Sequence, residues 1–241
     1  MKLSIIIPVY NENILIREII NRCLEAKIPD EFTSREIIVV DDGSTDGTTE
    51  LLKPFKNNQS VILHHSYINH GKGCALRVGF QISSGDVLLV QDGDLEYEPN
   101  HNFHNLLLPF VDNPEIDVVY GSRFLNTRWP DGMKFPNLVA NYLFSWIVLL
   151  LYRYKLSDEA TCYKVFRKRV LEYFPLISKK FEFCPEFTAK IIKSKLKIVE
   201  VPIIYHGRDH FEGKKIKAID GIICIWTLII NFFKPVRTTK K

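Results

Sequence analysis

Three short apolar, β-branched runs, at residues 3–9, 36–40 and 86–90, each end in a polar cluster, and that recurrence limits the fold more than any other feature of the chain. Between the first two runs, Ile16, Ile19, Ile20, Cys23 and Leu24 recur at helical spacing within residues 14–27. The unit reads strand, helix, strand. It continues with a helical pattern at 45–55, a strand at 60–65, a helix at 72–83, the fully apolar strand Val87-Leu88-Leu89-Val90, a helix at 102–111 and a strand at 116–120. Such alternation predicts an α/β fold: a mostly parallel sheet with helices on both faces. Ligands of these sheets sit at the carboxyl ends of the strands. Tyr10-Asn11-Glu12, Asp41-Asp42-Gly43-Ser44 and Asp92-Gly93-Asp94 are therefore expected to meet in one crevice.

The last of these clusters carries the sharpest chemistry. Strand alternation would put Asp92 and Asp94 on one face, with Glu96 in the same parity. Two adjacent carboxylates are costly unless a cation joins them, and oxygen donors of this kind suit Mg2+ or Mn2+. Taken alone, Asp-x-Asp reads more readily as an acidic turn, because Asp and Gly are ordinary turn residues. Convergence with two other polar clusters favours the cation.

At 241 residues and 46% apolar composition the chain can bury one substantial core, so a single domain is expected. The five cysteines are scattered and never spaced Cys-x-x-Cys, which argues against a disulfide framework or a zinc site. Met1-Lys2 leads straight into a strand-like run with no signal-peptide pattern, so a cytoplasmic location is expected. The net charge of +4 hides an asymmetry: residues 1–152 hold 12 Lys and Arg against 19 Asp and Glu, and residues 153–241 hold 20 against 9. The basic second half suits anionic lipid or phosphate-bearing substrates, or is a solvated lysine-rich surface; it lacks the aromatic interleaving of RNA binding, and no nucleic-acid partner is expected.

Residues 138–152, interrupted by Asn141 and Ser145, and residues 219–233 are the two long apolar stretches. About 15 helical residues cover about 22 Å, short of the ~20 residues that a bilayer core requires. Neither is expected to span. Trp146, Tyr152, Arg153, Trp226, Phe232, Phe233 and Lys234 suit helices lying in the head-group plane, although burial in the core is an equal alternative.

No Walker loop occurs, and Gly71-Lys72-Gly73 does not complete a dinucleotide fingerprint. Instead, Pro8-Val9-Tyr10-Asn11-Glu12, Val39-Val40-Asp41-Asp42-Gly43-Ser44, Gly71-Lys72-Gly73, Gly85-Asp86, Asp92-Gly93-Asp94 and Gly121-Ser122-Arg123 stand in the order and spacing of family 2 glycosyltransferases of the GT-A fold, which the chain resembles. Its second half, with Ser157-Asp158, Tyr163-Lys164-Val165-Phe166, Glu200-Val201-Pro202 and Arg208 before Gly213-Lys214-Lys215, is similar to the polyprenyl-phosphate (dolichyl-phosphate) mannosyl- and glucosyltransferase branch.

The resemblance covers the whole chain. It implies one GT-A domain over 1–241, with a nucleotide-sugar half at 1–125, an acceptor half with interfacial helices at 126–233 and a basic tail at 234–241. It implies that Pro8, Tyr10, Glu12, Val40 and Asp42 line the base and ribose pocket, with Lys72 and Gly93 also on the donor. Asp92 and Asp94 would hold Mg2+ or Mn2+ on the diphosphate; Glu96 stands where Gln is common in that branch, and is either a third metal ligand or solvent-facing. Arg123, Arg208 and Lys214 would grip phosphates, and Asp158 would lie in the active site, with Asp158 or Glu159 acting as base if the acceptor is a hydroxyl. The implied reaction is metal-dependent, inverting transfer of a hexose from GDP-mannose or UDP-glucose to a polyprenyl phosphate, by an enzyme peripheral to the cytoplasmic membrane face, with a membrane protein as a further expected partner. A saccharide acceptor, and a non-catalytic nucleotide-sugar-binding subunit, are the alternatives.

Overall fold

The computed structural model of the protein describes residues 1–207 and 218–236. Seven strands form one sheet: β1 (Lys2–Val9), β2 (Ser34–Asp42), β3 (Val61–Ser66), β4 (Val87–Val90), β5 (Val118–Ser122), β6 (Lys164–Arg167) and β7 (Ile198–Pro202). Their order across the sheet is β3-β2-β1-β4-β6-β5-β7. All pairings are parallel except those of β6, which runs against both β4 and β5. The helices are α1 (Ile16–Glu25), α2 (Thr48–Leu52), α3 (Lys72–Ile82), α4 (Pro99–Asp112), α5 (Phe135–Tyr152), α6 (Phe183–Lys193) and α7 (Ala218–Phe233).

Parity on the strands makes two apolar faces. Ile38 and Val40 pack with Ala75 and Val78 of α3, so Ile37 and Val39 point to the opposite face, where α1 buries Ile16, Ile19, Ile20 and Cys23. On the α3 face Phe80 meets Phe166 edge-on at 5.3 Å, and Phe183 and Phe187 of α6 stack at 5.5 Å. The chain builds outward from β1 in one direction to β2 and β3, then returns past β1 to β4. That reversal puts a switch point between the carboxyl ends of β1 and β4, where open α/β sheets hold their ligands.

Two sequence expectations change. The helical pattern at 45–55 splits into α2 and a 3-10 turn at Lys53–Asn57, because Pro54 removes an N–H that a continuous helix would need. The first apolar stretch makes an 18-residue helix, since Pro136 fits its first turn and extends it back to Phe135. At about 27 Å, α5 is long and apolar enough to cross a membrane, against the expectation that neither stretch would be; α7, at 16 residues, is shorter.

Candidate active site

Glycines and short side chains stitch the loops at the carboxyl edge of the sheet into a single wall. Asn11, at φ 52°, accepts from the Thr45 N–H through Oδ1 at 2.8 Å, while its own N–H donates to Ser44 Oγ at 2.9 Å. The Glu12 N–H donates to Thr48 Oγ1 at 2.9 Å. Buried Asp41 accepts from the Ser44 N–H, Thr49 Oγ1 and His65 Nδ1. Burial alone would raise its pKa, and the hydrogen bonds outweigh that and hold it below the usual carboxylate range. Tyr10 is exposed beside this wall, with Pro8 and Glu12 half-buried.

Asp42 and Val40 depart from the pocket-lining expectation. Val40 is fully buried under α3, on the parity that faces away from the crevice. The Asp42 carboxylate accepts the backbone N–H groups of His70 at 3.0 Å and Gly71 at 2.6 Å, so it holds the loop that opens α3. Gly71 has φ +100°, and a Cβ there would lie 2.5 Å from Lys179 O; at Gly73 it would lie 2.6 Å from Ser178 O. Only glycine permits so close a pass. Residues 178–180 thus press on the start of α3, and behind them buried Glu186 accepts from the N–H groups of Ile177 and Ser178.

This packing fixes the Lys72 backbone at the first turn of α3, and its ammonium pairs with Asp92 Oδ1. Burial would lower the Lys72 pKa, and the Asp92 carboxylate reverses that and raises it above the ordinary lysine value. Asp92 and Asp94 lie beyond the end of β4, on a loop, so strand alternation does not place them. The loop is hung from Gln91, a fully buried residue the sequence reading passed over: its Nε2 donates to Asp92 O and Tyr97 O, and its Oε1 accepts from the Tyr163 hydroxyl at 2.8 Å. Gly93 faces Glu12 and Pro8, with Glu12 Cγ 3.5 Å from where its Cβ would stand. Pro8, Glu12, Asp92, Gly93, Asp94 and Lys72 are therefore neighbours across the β1–β4 switch point.

Glu96 takes no part in a three-carboxylate cluster; among the described residues no group of three or more His, Cys, Asp or Glu is gathered for a metal ion. Its Oε2 accepts from the Tyr205 hydroxyl at 3.3 Å, and its carbonyl accepts from the His206 N–H at 3.0 Å. The set Asp92 and Asp94 still fits a divalent ion, since Mg2+ commonly takes one or two protein carboxylates and completes its shell from substrate phosphates and water. The ammonium already resting on Asp92 marks that oxygen as a place for positive charge.

Arg123 and Asp158 are together, in a manner that corrects both expectations. The Arg123 Nε and Nη2 donate to Asp158 Oδ2 and Oδ1, each at 2.7 Å, and its backbone N–H donates to Oδ2 at 3.0 Å. Both side chains are buried. The Arg123 fork is occupied by a carboxylate and does not present itself to a phosphate; the Asp158 carboxylate is occupied by the fork and is no free base. Burial would lower the Arg123 pKa, and Asp158 more than reverses this. Glu200 holds the same turn, accepting from Ser157 N–H, Ser157 Oγ and the Asp158 N–H. Asn141 and Ser145, polar residues within the apolar run of α5, are its anchors: Asn141 Oδ1 accepts from Arg123 at 2.7 Å, and Ser145 Oγ donates to Ser157 O and accepts from the Glu159 N–H, both at 3.3 Å. Their i, i+4 spacing on an apolar helix was the available signal. Glu159 is itself buried, and burial pushes its carboxyl up.

The opposite side of α5 is exposed, with Phe135, Val139, Leu143, Trp146 and Leu150 toward solvent. Beside it α7 buries Cys224 and Leu228 and exposes Ile219, Ile222, Trp226 and Phe233. The two helices are joined by the Tyr152 hydroxyl, which donates to Leu228 O at 2.6 Å. Arg208 and Lys214 lie outside the described residues, as do His210 and Lys215; the chain leading to them is pinned at Gly207, whose N–H donates to Asp131 O.

A sequence model described as "Glycosyl transferase family 2" matches residues 4–174. Among curated proteins, the dodecaprenyl-phosphate galacturonate synthase of Rhizobium johnstonii is 26% identical over 89% of this chain and 62% of its own length. The dolichol-phosphate mannosyltransferase of Pyrococcus furiosus is 31% identical over 89% of this chain and 59% of its own. The chain thus spans about three-fifths of the length of these two relatives. The UDP-N-acetylglucosamine–dolichyl-phosphate N-acetylglucosaminyltransferase of Methanococcus voltae is 29% identical over 83% of each chain. In fold, glucosyl-3-phosphoglycerate synthase from Mycobacterium tuberculosis, crystallised with Mn2+, UDP and phosphoglyceric acid, matches at a TM-score of 0.72 and 17% identity, over 98% of this chain and 80% of that one. A further crystal of that enzyme holds Mg2+ and UDP.

Proposed function

The chain belongs to glycosyl transferase family 2, and on that premise we propose that it moves a hexose from a nucleoside-diphosphate sugar to a polyprenyl phosphate at a membrane surface, with inversion at the anomeric carbon. The observation that carries this reading is the Arg123–Asp158 pair. A hydroxyl acceptor needs a base to take its proton, and of the two candidate carboxylates Asp158 is buried and bidentately held and Glu159 is buried beside it. A phosphate monoester needs none: its second pKa is about 6, so its oxygen is already anionic near neutral pH.

The donor fits the β1–β4 switch point. Tyr10 offers a ring to the base, and the Glu12 carboxylate offers acceptors to ribose hydroxyls. Gly93 brings the metal-binding loop against Glu12 and Pro8, beside the place assigned to the diphosphate. Asp92 and Asp94 would hold Mg2+ or Mn2+, which supplies Lewis-acid neutralisation of the departing diphosphate. Lys72 adds a second, fixed-base positive charge on the same side. The acceptor oxygen forms a bond to the anomeric carbon as the bond to the donor phosphate oxygen breaks, and the electron pair leaves with the nucleoside diphosphate. Arg208 and Lys214 are assigned to the acceptor phosphate. GDP-mannose and UDP-glucose both suit the pocket, whose selectivity rests on hydrogen bonds to the base and sugar.

The acceptor's long apolar chain matches the exposed side of α5 and α7, where Trp146 and Trp226 are each 59% exposed. Because Asn141 and Ser145 tie the other side of α5 to the crevice wall, we assign α5 to the head-group plane, lying flat under the domain. With this reading goes a peripheral position at the cytoplasmic membrane face.

The test is a panel of radiolabelled nucleotide sugars incubated with protein, divalent metal and short-chain polyprenyl phosphate, followed by organic extraction. Label from one donor should pass to the organic phase only when the lipid phosphate is present. Label retained in water as a saccharide, with the lipid making no difference, rejects the lipid acceptor; donor bound tightly without any transfer rejects catalysis.

A further inference from the structure

The ion pair between Lys72 and Asp92 occupies an oxygen that the proposed donor complex needs, and this conflict has a structural resolution. We propose that Lys72 is an exchangeable counter-charge: its ammonium holds Asp92 while the donor is absent, and passes to the donor diphosphate when a divalent ion takes Asp92. The inference rests on the donor reading above and adds to it an order of partners for one residue.

Three features favour exchange. The Lys72 backbone cannot move, because Gly71 and Gly73 are packed onto Ser178 and Lys179 and the Asp42 carboxylate holds the preceding N–H groups. The side chain can move, since it is a flexible four-carbon stem ending in a point charge. And the contact is made through one ammonium and one carboxylate oxygen, half-buried at both ends, unlike the two-pronged, fully buried arrangement of Arg123 on Asp158. Charge counting gives the reason. Asp92, Asp94 and Lys72 leave a single negative charge; a divalent ion reverses its sign, and a diphosphate restores it with Lys72 free to pair with the phosphate. Throughout, Asp92 is never left without a cation, which would be costly in this half-buried crevice.

The consequence is coupling between metal and donor. A divalent ion arriving alone must displace Lys72 and lose its attraction to Asp92; arriving with a diphosphate, it displaces an ammonium that has a new partner. Metal and nucleotide must then strengthen each other equally.

Free Mn2+ measured by electron paramagnetic resonance, with and without UDP or GDP, tests this on the full chain. In the wild type the nucleoside diphosphate should tighten Mn2+ binding about tenfold or more, a usual size for linked sites. Lys72→Met should bind Mn2+ alone about tenfold more tightly than wild type and lose most of the gain from nucleotide. Lys72→Gln should match it, which guards against a folding defect in the methionine variant, and Lys72→Arg should behave as wild type. Neutral variants that bind Mn2+ alone no better than wild type overturn the exchange while leaving the donor reading intact. A wild type that holds Mn2+ in neither condition overturns the donor reading itself.

Discussion

The two ion pairs of the crevice, Lys72–Asp92 at the β1–β4 switch point and Arg123–Asp158 beneath α5, use the same charges to opposite ends. Arg123 meets Asp158 with two prongs and a backbone N–H, adds a bond to Asn141, and places its guanidinium 5.3 Å from the centre of the Tyr205 ring. Lys72 meets Asp92 at one point, on a stem that can swing. Multiplicity and burial make a contact permanent, whereas single contacts at a half-open edge can be traded for a ligand. The crevice therefore has a rigid wall that carries α5 and a soft wall, the one the proposed reaction assigns to the donor.

Breaking the rigid wall should have the largest effect. Arg123→Met leaves Asp158 buried without its partner and should cost about 3–5 kcal/mol, read as a drop in the thermal unfolding midpoint of roughly 2–4 °C per kcal/mol. The matching change at Lys72 should cost about 1 kcal/mol. Equal losses at the two positions would erase the distinction.

Glu36, at the opposite edge of the sheet, supplies a third carboxylate for comparison. It accepts from Ser4 Oγ, the Ser84 N–H and Ser84 Oγ, and pairs with Lys2 at 2.6 Å. Burial would raise its pKa, yet these donors pull it down to about 2. The folded state thus binds the proton less readily than the unfolded chain. The stabilisation is complete above the unfolded value of 4.5 and is lost as pH falls toward 2. It amounts to about 3 kcal/mol. Acid unfolding should show Glu36→Gln to be less stable than wild type at pH 7, with the two converging near pH 2; a constant gap would contradict the assignment.

Gly93→Ala sharpens the soft wall. Its nearest neighbour would be at ordinary van der Waals distance, so stability should change by no more than about 0.5 kcal/mol. Transfer should still fall about 10²-fold, because the methyl lies against Glu12 and Pro8, which the donor reading places on the nucleoside. A variant that unfolds early, or transfers normally, would show that the glycine serves the fold or nothing.

The smallest effect is expected outside the crevice. Trp146→Ser with Trp226→Ser should weaken binding to anionic lipid vesicles about tenfold, by loss of buried apolar area, with no change in nucleotide affinity. Unaltered vesicle binding would remove α5 and α7 from the interface.

Much of the fold was legible because β1, β2 and β4 are buried on both faces and read as unbroken apolar runs, and because Asp92-Gly93-Asp94 closes one of them. The partners were not. Arg123 looked outward in sequence because nothing local to it is acidic; Asp158 lies 35 residues on and reaches it only across the β5–β6 region. The resemblance implied a pocket role for Val40, whose side chain packs in the core with Ile38 and Ala75; which face a strand residue takes depends on parity that a motif does not display. The resemblance put Asp42 in the pocket; its carboxylate accepts from the backbone N–H groups of His70 and Gly71, donors that every residue but proline possesses and no motif displays. Asn141 and Ser145 were visible as interruptions of α5, but their role follows only from the side of the helix that meets the sheet.

The most direct test of the account is transfer of radiolabelled hexose to polyprenyl phosphate by the wild-type chain, measured with Mn2+ present and after treatment with a chelator, beside Asp94→Ala under both conditions. The account predicts label in the lipid phase for wild type with Mn2+ alone, and a loss of about 10³-fold or more in the other three arms. Equal transfer with and without the ion, or an active Asp94→Ala, would contradict it.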